Sequence, residues 1–100
     1  MFKLYRKLTR PSQSIAFGLP ETDEQKQHTL VNYIETKKFI SRENPVLSKD
    51  GLILEQIVTW RSLDDFIDFR LDNFYTDHNQ KVVLYQQENN IIIESREIHD

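Results

Sequence analysis

The sequence predicts an α+β domain with the order β-α-β-β-α-β, the ferredoxin-like arrangement of a four-stranded antiparallel sheet with both helices on one side. Three observations predict it. Strand-like runs rich in Leu, Ile, Val and aromatic residues alternate with two stretches that open on helix-capping patterns, Thr22 with Gln25 and Ser62 with Asp65. Asp50-Gly51 is a tight-turn signal between two of those runs. The chain of 100 residues is also the length of one domain, 1–100.

Taken in order, Phe2 to Thr9 is the first strand, with Phe2, Leu4 and Leu8 on one face. Its cations Lys3, Arg6 and Lys7 read as the solvated positions of a half-buried strand. Pro11 lacks a donor and restricts Arg10, so the strand ends or bends there. The patch Ile15-Ala16-Phe17, closed by Gly18 and Pro20, either extends the strand beyond a bulge or lies over a sheet edge. A helix follows from Asp23 to Thr36, with Leu30, Val31 and Ile34 at helical spacing toward the sheet and Gln27 and Tyr33 flanking.

Phe39 to Leu47 is the second strand, demoted by Pro45 to an edge or a bulge. It forms a hairpin with Leu52 to Trp60, the central strand. In the second helix Leu63, Phe66, Ile67, Arg70 and Phe74 share a face. For 81–88, Val82 to Tyr85 favours strand, whereas Gln86-Gln87-Glu88 and continuity with the preceding helix rank helix first. Asn89-Asn90 ends it, since Asn tolerates left-handed backbone, and Ile91 to Ile98 is the last strand. Both the central and the last strand carry apolar residues on two faces, Ile53 and Ile57 against Leu54 and Val58, Ile92 against Ile91 and Ile93. A sheet apolar on its open face has to be covered, which predicts a homodimer through the sheet.

The net charge of −3, from 13 Lys and Arg against 16 Asp and Glu, runs against a nucleic-acid partner. The absence of Cys excludes disulfides, thiolate metal sites and Cys nucleophiles. No apolar run reaches the roughly 18 residues of a membrane span, so no membrane partner is expected and the protein is read as soluble and cytoplasmic. Two glycines leave no Gly-rich phosphate loop and no nucleophile elbow.

The run Val58-Thr59-Trp60-Arg61-Ser62-Leu63-Asp64-Asp65-Phe66, continuing through Phe69, Phe74 and His78, resembles one stretch of the antibiotic-biosynthesis-monooxygenase-like superfamily, where a strand ends in a V-x-W-x-S motif and the Ser opens an aromatic-rich helix. The resemblance implies a ferredoxin-like fold, often paired into a dimeric α/β barrel. It also implies one of several activities: cofactor-independent oxidation of quinol-like or polyketide aromatics, haem degradation, or none known. Its haem-degrading branch has a helix His, a Trp about ten positions earlier and an Asn on the first strand. His78 matches the His, but Asp68 or Phe69 stands at the Trp position and Phe2 to Thr9 holds no Asn. No cofactor is therefore expected.

The candidate catalytic residues are His78, a general base or ligand by type, and Tyr75. Trp60, Phe66, Phe69 and Phe74 are candidates to hold a small aromatic ligand. Each has a plainer reading: His78 in the polar stretch Thr76 to Gln80, and the aromatics as core or dimer packing. Asp64, Asp65 and Asp68 read as helix-capping charge, and His28 and His99 as solvated. The sequence thus supports two functions, a non-catalytic homodimeric assembly module and a monooxygenase-like enzyme or binder of an aromatic ligand, and leaves enzymatic activity open.

Overall fold

Alternation along the first strand sorts the sheet into two faces. The structure, a computed structural model, describes residues 1–99. In it β1 (Phe2–Thr9) runs antiparallel between β4 (Ile53–Trp60) and β5 (Ile92–Ile98). The short strands β2 (Phe39–Arg42) and β3 (Val46–Leu47) both pair with the far edge of β4, giving five strands. Register places Phe39, Trp60 and Phe2 in one row across three strands, with Val58 and Leu4 in the next same-face row. That face meets the helices; Lys3, Tyr5, Lys7, Ile53, Ile57 and Thr59 lie on the other.

The fifth strand corrects the expected four. The stretch read as one strand is two pieces either side of Glu43-Asn44-Pro45, because a residue without N–H cannot continue the ladder on β4. The hairpin to β4 closes as expected at Gly51, whose φ of +75 suits glycine and where a Cβ would sit 3.0 Å from Gln13. Residues 11–20 form no strand. Arg10 holds them, donating to the carbonyls of Gly51 and Ile15 at 2.8 Å each and stacking over Phe17 at 4.2 Å.

Both capping patterns form as read. Thr22 and Gln25 make a reciprocal capping box at the start of α1 (Asp23–Thr29). Ser62 caps α2 (Leu63–Arg70), where Arg61 grips the buried Asp65 at 2.7 and 3.0 Å. Arg61's bond, ahead of an opposing push from burial, holds the Asp65 carboxyl below its ordinary value.

The helical layer departs from expectation in two respects. After α1 the chain widens into a π turn, Leu30–Ile34, closed by Glu35 N–H to the Leu30 carbonyl at 2.9 Å. The wider turn rotates the following side chains, so Tyr33 is buried while Leu30, Val31 and Ile34 are exposed, the reverse of the helical reading. The second helical stretch breaks at Leu71-Asp72 into α2, a 3-10 turn (Asn73–Tyr75) and α3 (Thr76–Glu88). Residues 81–88 are thus helical, ending at Asn90 with φ +56. In α2 the inward residues are Phe66 and Phe69, while Leu63 and Ile67 face outward.

These rings build one core. Trp60, 3% exposed, lies 5.0 Å from Phe69, 5.2 Å from Phe39 and 5.8 Å from Phe66, and Phe2 lies 5.1 Å from Phe66. Trp60→Ala is expected to cost about 3–5 kcal/mol in denaturant unfolding. Leu84→Ala, at a position 56% exposed, is expected to stay within about 0.5 kcal/mol of wild type.

Candidate functional site

Asp72 stands at the corner between α2 and α3 in extended backbone, the conformation of an N-cap. Its Oδ1 accepts from the Phe74 backbone N–H at 2.9 Å, which starts the 3-10 turn. Its Oδ2 is thereby left facing α1, where it accepts from the Tyr33 hydroxyl at 2.6 Å and from His28 Nε2 at 2.9 Å. Tyr33 reaches this point because the π turn swings it inward. The 3-10 turn brings Phe74 flat against the His28 ring, with centroids 4.1 Å apart and planes 4° from parallel, and the Tyr75 ring meets His28 edge-on at 5.4 Å.

Burial pushes the Asp72 carboxyl up, but the bonds from Tyr33, His28 and the Phe74 N–H outweigh it and hold its pKa below the ordinary value. An ionised Asp72 only accepts, so His28 Nε2 carries the proton in this bond. In the neutral ring Nδ1 is then the acceptor nitrogen, and the Asn32 amide lies 3.3 Å from it. Burial first, then the bond to Asp72, raises the Tyr33 phenol far above its usual range and keeps it protonated. An open groove of about 650 Å3 runs past this cluster, lined by His28, Val31, Asn32 and Phe74 with Asp23 and Gln27. A carboxylate-oriented imidazole whose second nitrogen faces the Asn32 amide at the groove, beside an exposed ring, is an arrangement able to hydrogen-bond a stacked ligand that displaces that amide.

Of the residues singled out from sequence, Trp60, Phe66 and Phe69 pack into the core, filling the space around one another. Among the described residues the buried Trp60 Nε1 has no hydrogen-bond partner. Phe74 is 46% exposed and lines the groove. Tyr75 is buried, its hydroxyl 2.6 Å from Thr29 Oγ1, and burial raises its pKa. His78 is half-buried on the first turn of α3, and among the described residues no hydrogen bond or ring contact joins it to the aromatic cluster. The reading of His28 as solvated is corrected: its side chain is 24% exposed, held by a residue far along the chain that local sequence cannot reveal. His99 is exposed, 3.8 Å from Glu97. Among the described residues no helix is long and apolar enough to cross a membrane.

The sheet order and the helices on one face define the ferredoxin-like α+β class. The chain is similar to a dimeric ferredoxin-like protein from an uncultured marine organism, with a TM-score of 0.56 at 9% identity, covering 97% of this chain and 92% of that one. No protein-family model matches the chain, and no curated protein matches it.

Asp72→Asn tests the tie between α1 and the α2–α3 corner. Its loss is expected to cost about 1.5–3 kcal/mol at pH 7, the range for hydrogen bonds to a charged group. Because the folded pKa lies below 3.8, this contribution is complete above that value and disappears as the pH falls through the lower folded one. The gap between wild type and variant in denaturant unfolding should therefore be wide at pH 7 and narrow steadily below about pH 4.

Proposed function

We propose that the protein is a homodimeric ferredoxin-like assembly module whose two copies meet through the sheet face that the helices leave open. The observation that carries this is surface. A folded monomer of 12.0 kDa exposes roughly 6,000 Å2, whereas this chain exposes 7077 Å2. It is a slab of 37 × 33 × 18 Å. The excess is of the order of one partner's share of a standard interface, about 800 Å2.

The open face carries more charge than the apolar one expected. An apolar set of Ile53, Ile57, Val46 and Ile92, the last two 63% and 61% exposed, is crossed by charges already paired within the chain. Tyr5 donates to Glu55 at 2.5 Å, Arg96 lies over the Tyr5 ring at 4.7 Å, and Lys7 sits 3.7 Å from Glu94. A two-fold interface sets a patch against its own copy, so a face carrying both signs is self-complementary where a single sign would repel. The solved structure of similar fold is described as dimeric. Sedimentation of Ile57→Glu is expected to show a monomer where wild type is a dimer, with Ile67→Glu on the outer side of α2 as the control. A monomeric wild type, or a dimer lost only in Ile67→Glu, would overturn the sheet-face reading.

A second reading rests on the groove: binding of a small hydroxylated aromatic compound, as in monooxygenase-like enzymes, stacked on Phe74 with His28 Nδ1 accepting its proton. Its support is the bond from His28 to Asp72 beside an exposed ring. Titration with catechols and naphthols should shift the His28 and Phe74 NMR signals in wild type and not in His28→Ala; unmoved signals in wild type would remove this reading.

A further inference from the structure

On the helix-facing side of the sheet, the rows of side chains change character along β1. Phe39, Trp60 and Phe2 make an aromatic row, and Val58 and Leu4 follow. The next row is polar from strand to strand, Gln56 on β4, Arg6 on β1 and Ser95 on β5, before Leu54, Leu8 and Ile93 restore an apolar one. A cation at the middle of the central strand, on the face that carries the core, is out of place unless something there needs it.

Two more guanidinium groups belong to the same surface. Arg70 follows Phe66 by one helical turn on α2, and Phe66 packs on Phe2. Arg42 on β2 lies in the row of Val58 and extends over Phe39 at 5.8 Å. Burial, then the charges of Arg70 and Arg42, lower the pKa of Arg6. Among the described residues, none of the side chains of Arg6, Arg70, Gln56 and Ser95 forms a hydrogen bond or an ion pair within the chain. The nearest carboxylate along the sheet is Glu97, in the row of Leu4, and it faces His99 at 3.8 Å instead. In a chain of net charge −3, three cations thus share one surface, and among the described residues no carboxylate is paired with any of them.

We propose that Arg6, Arg42 and Arg70 form a binding site for a small multivalent oxyanion, a phosphate group or a cluster of carboxylates, on the helix-facing side of the sheet. Each guanidinium offers a planar fork of donors that matches two oxygens of such a group, and Gln56 and Ser95 add neutral donors in the same row. The anion removes a repulsion and satisfies donors that the chain leaves unsatisfied. The site lies on the opposite face from the dimer surface, so it stands or falls independently of that reading.

The test is an NMR titration of the arginine Nε–H signals with inorganic phosphate and, separately, citrate, at constant ionic strength set with sodium chloride. Saturable shifts of Arg6 and Arg70 are expected with at least one of the two, and whichever binds more tightly names the source. Arg70→Gln, at an exposed helix end, is expected to weaken that binding about tenfold or more, by the strength of a charge-assisted bond, and Arg6→Gln likewise. Lys7→Gln, on the other face, should leave it unchanged. Without anion, Arg70→Gln should melt no lower than wild type, since it relieves repulsion, which a purely structural arginine would not do. Shifts that merely track chloride, or equal binding by Arg70→Gln and wild type, would overturn the proposal.

Discussion

Trp60 stands where three parts of the chain meet. It ends the central hairpin strand, faces Phe2 and Phe39 across its row, and receives Phe66, Phe69 and Tyr33 from the helical layer. Tilted and edge-on ring pairs add about 0.5–1.5 kcal/mol each to the area they bury, and so small a domain has little other core to draw on. The placement of the helices follows from this cluster. Phe66 and Phe69 fix how α2 lies on the sheet, so they also fix where the chain turns at Asp72. That turn brings Asp72 within reach of Tyr33 and His28.

The core occupies one end of the sheet, and the consequences differ on its two sides. Toward the helices, ring packing gives way to a polar row at Arg6, and β5 remains exposed along most of its length. Away from the helices, the chain has settled its charges internally, with Glu55 and Glu94 each engaged by a neighbour on β1. In the proposed sheet-face dimer, pairing inside one copy would reduce what has to be desolvated. The two faces therefore differ in character among the described residues, one with its charges paired and the other with a row of unpaired polar side chains.

Strand positions were legible because their cause is local. Phe2, Leu4 and Leu8 alternate with cations, and Asp50-Gly51 can hardly do anything but turn. Helix starts were legible for the same reason, since Thr22 and Ser62 cap through residues three positions away. Helix faces were not: a π turn and a 3-10 turn each shift the phase that regular spacing assumes, which is why Tyr33 rather than Leu30 or Ile34 points inward. The groove cluster was hidden more deeply, because His28 and Asp72 meet only once both helices lie on the sheet. Arg6 was visible throughout as a cation between Leu4 and Leu8, but its significance depends on which face meets the helices, a matter of tertiary structure.

The order of pairing has a consequence for how such a chain is made. β1 precedes both of its neighbours in the chain by a long way: Lys3 lies opposite Thr59 on one side and Ile98 on the other. The β4 partner of β1 is complete only at residue 60, and the β5 partner only at residue 98. Closing loops of that length makes sheet formation slow and leaves apolar strand surface open in the meantime. Phe2, Leu4 and Leu8 therefore gain their strand partners only when both later segments have been made, and the cations set between them break up the apolar surface of the unpaired strand.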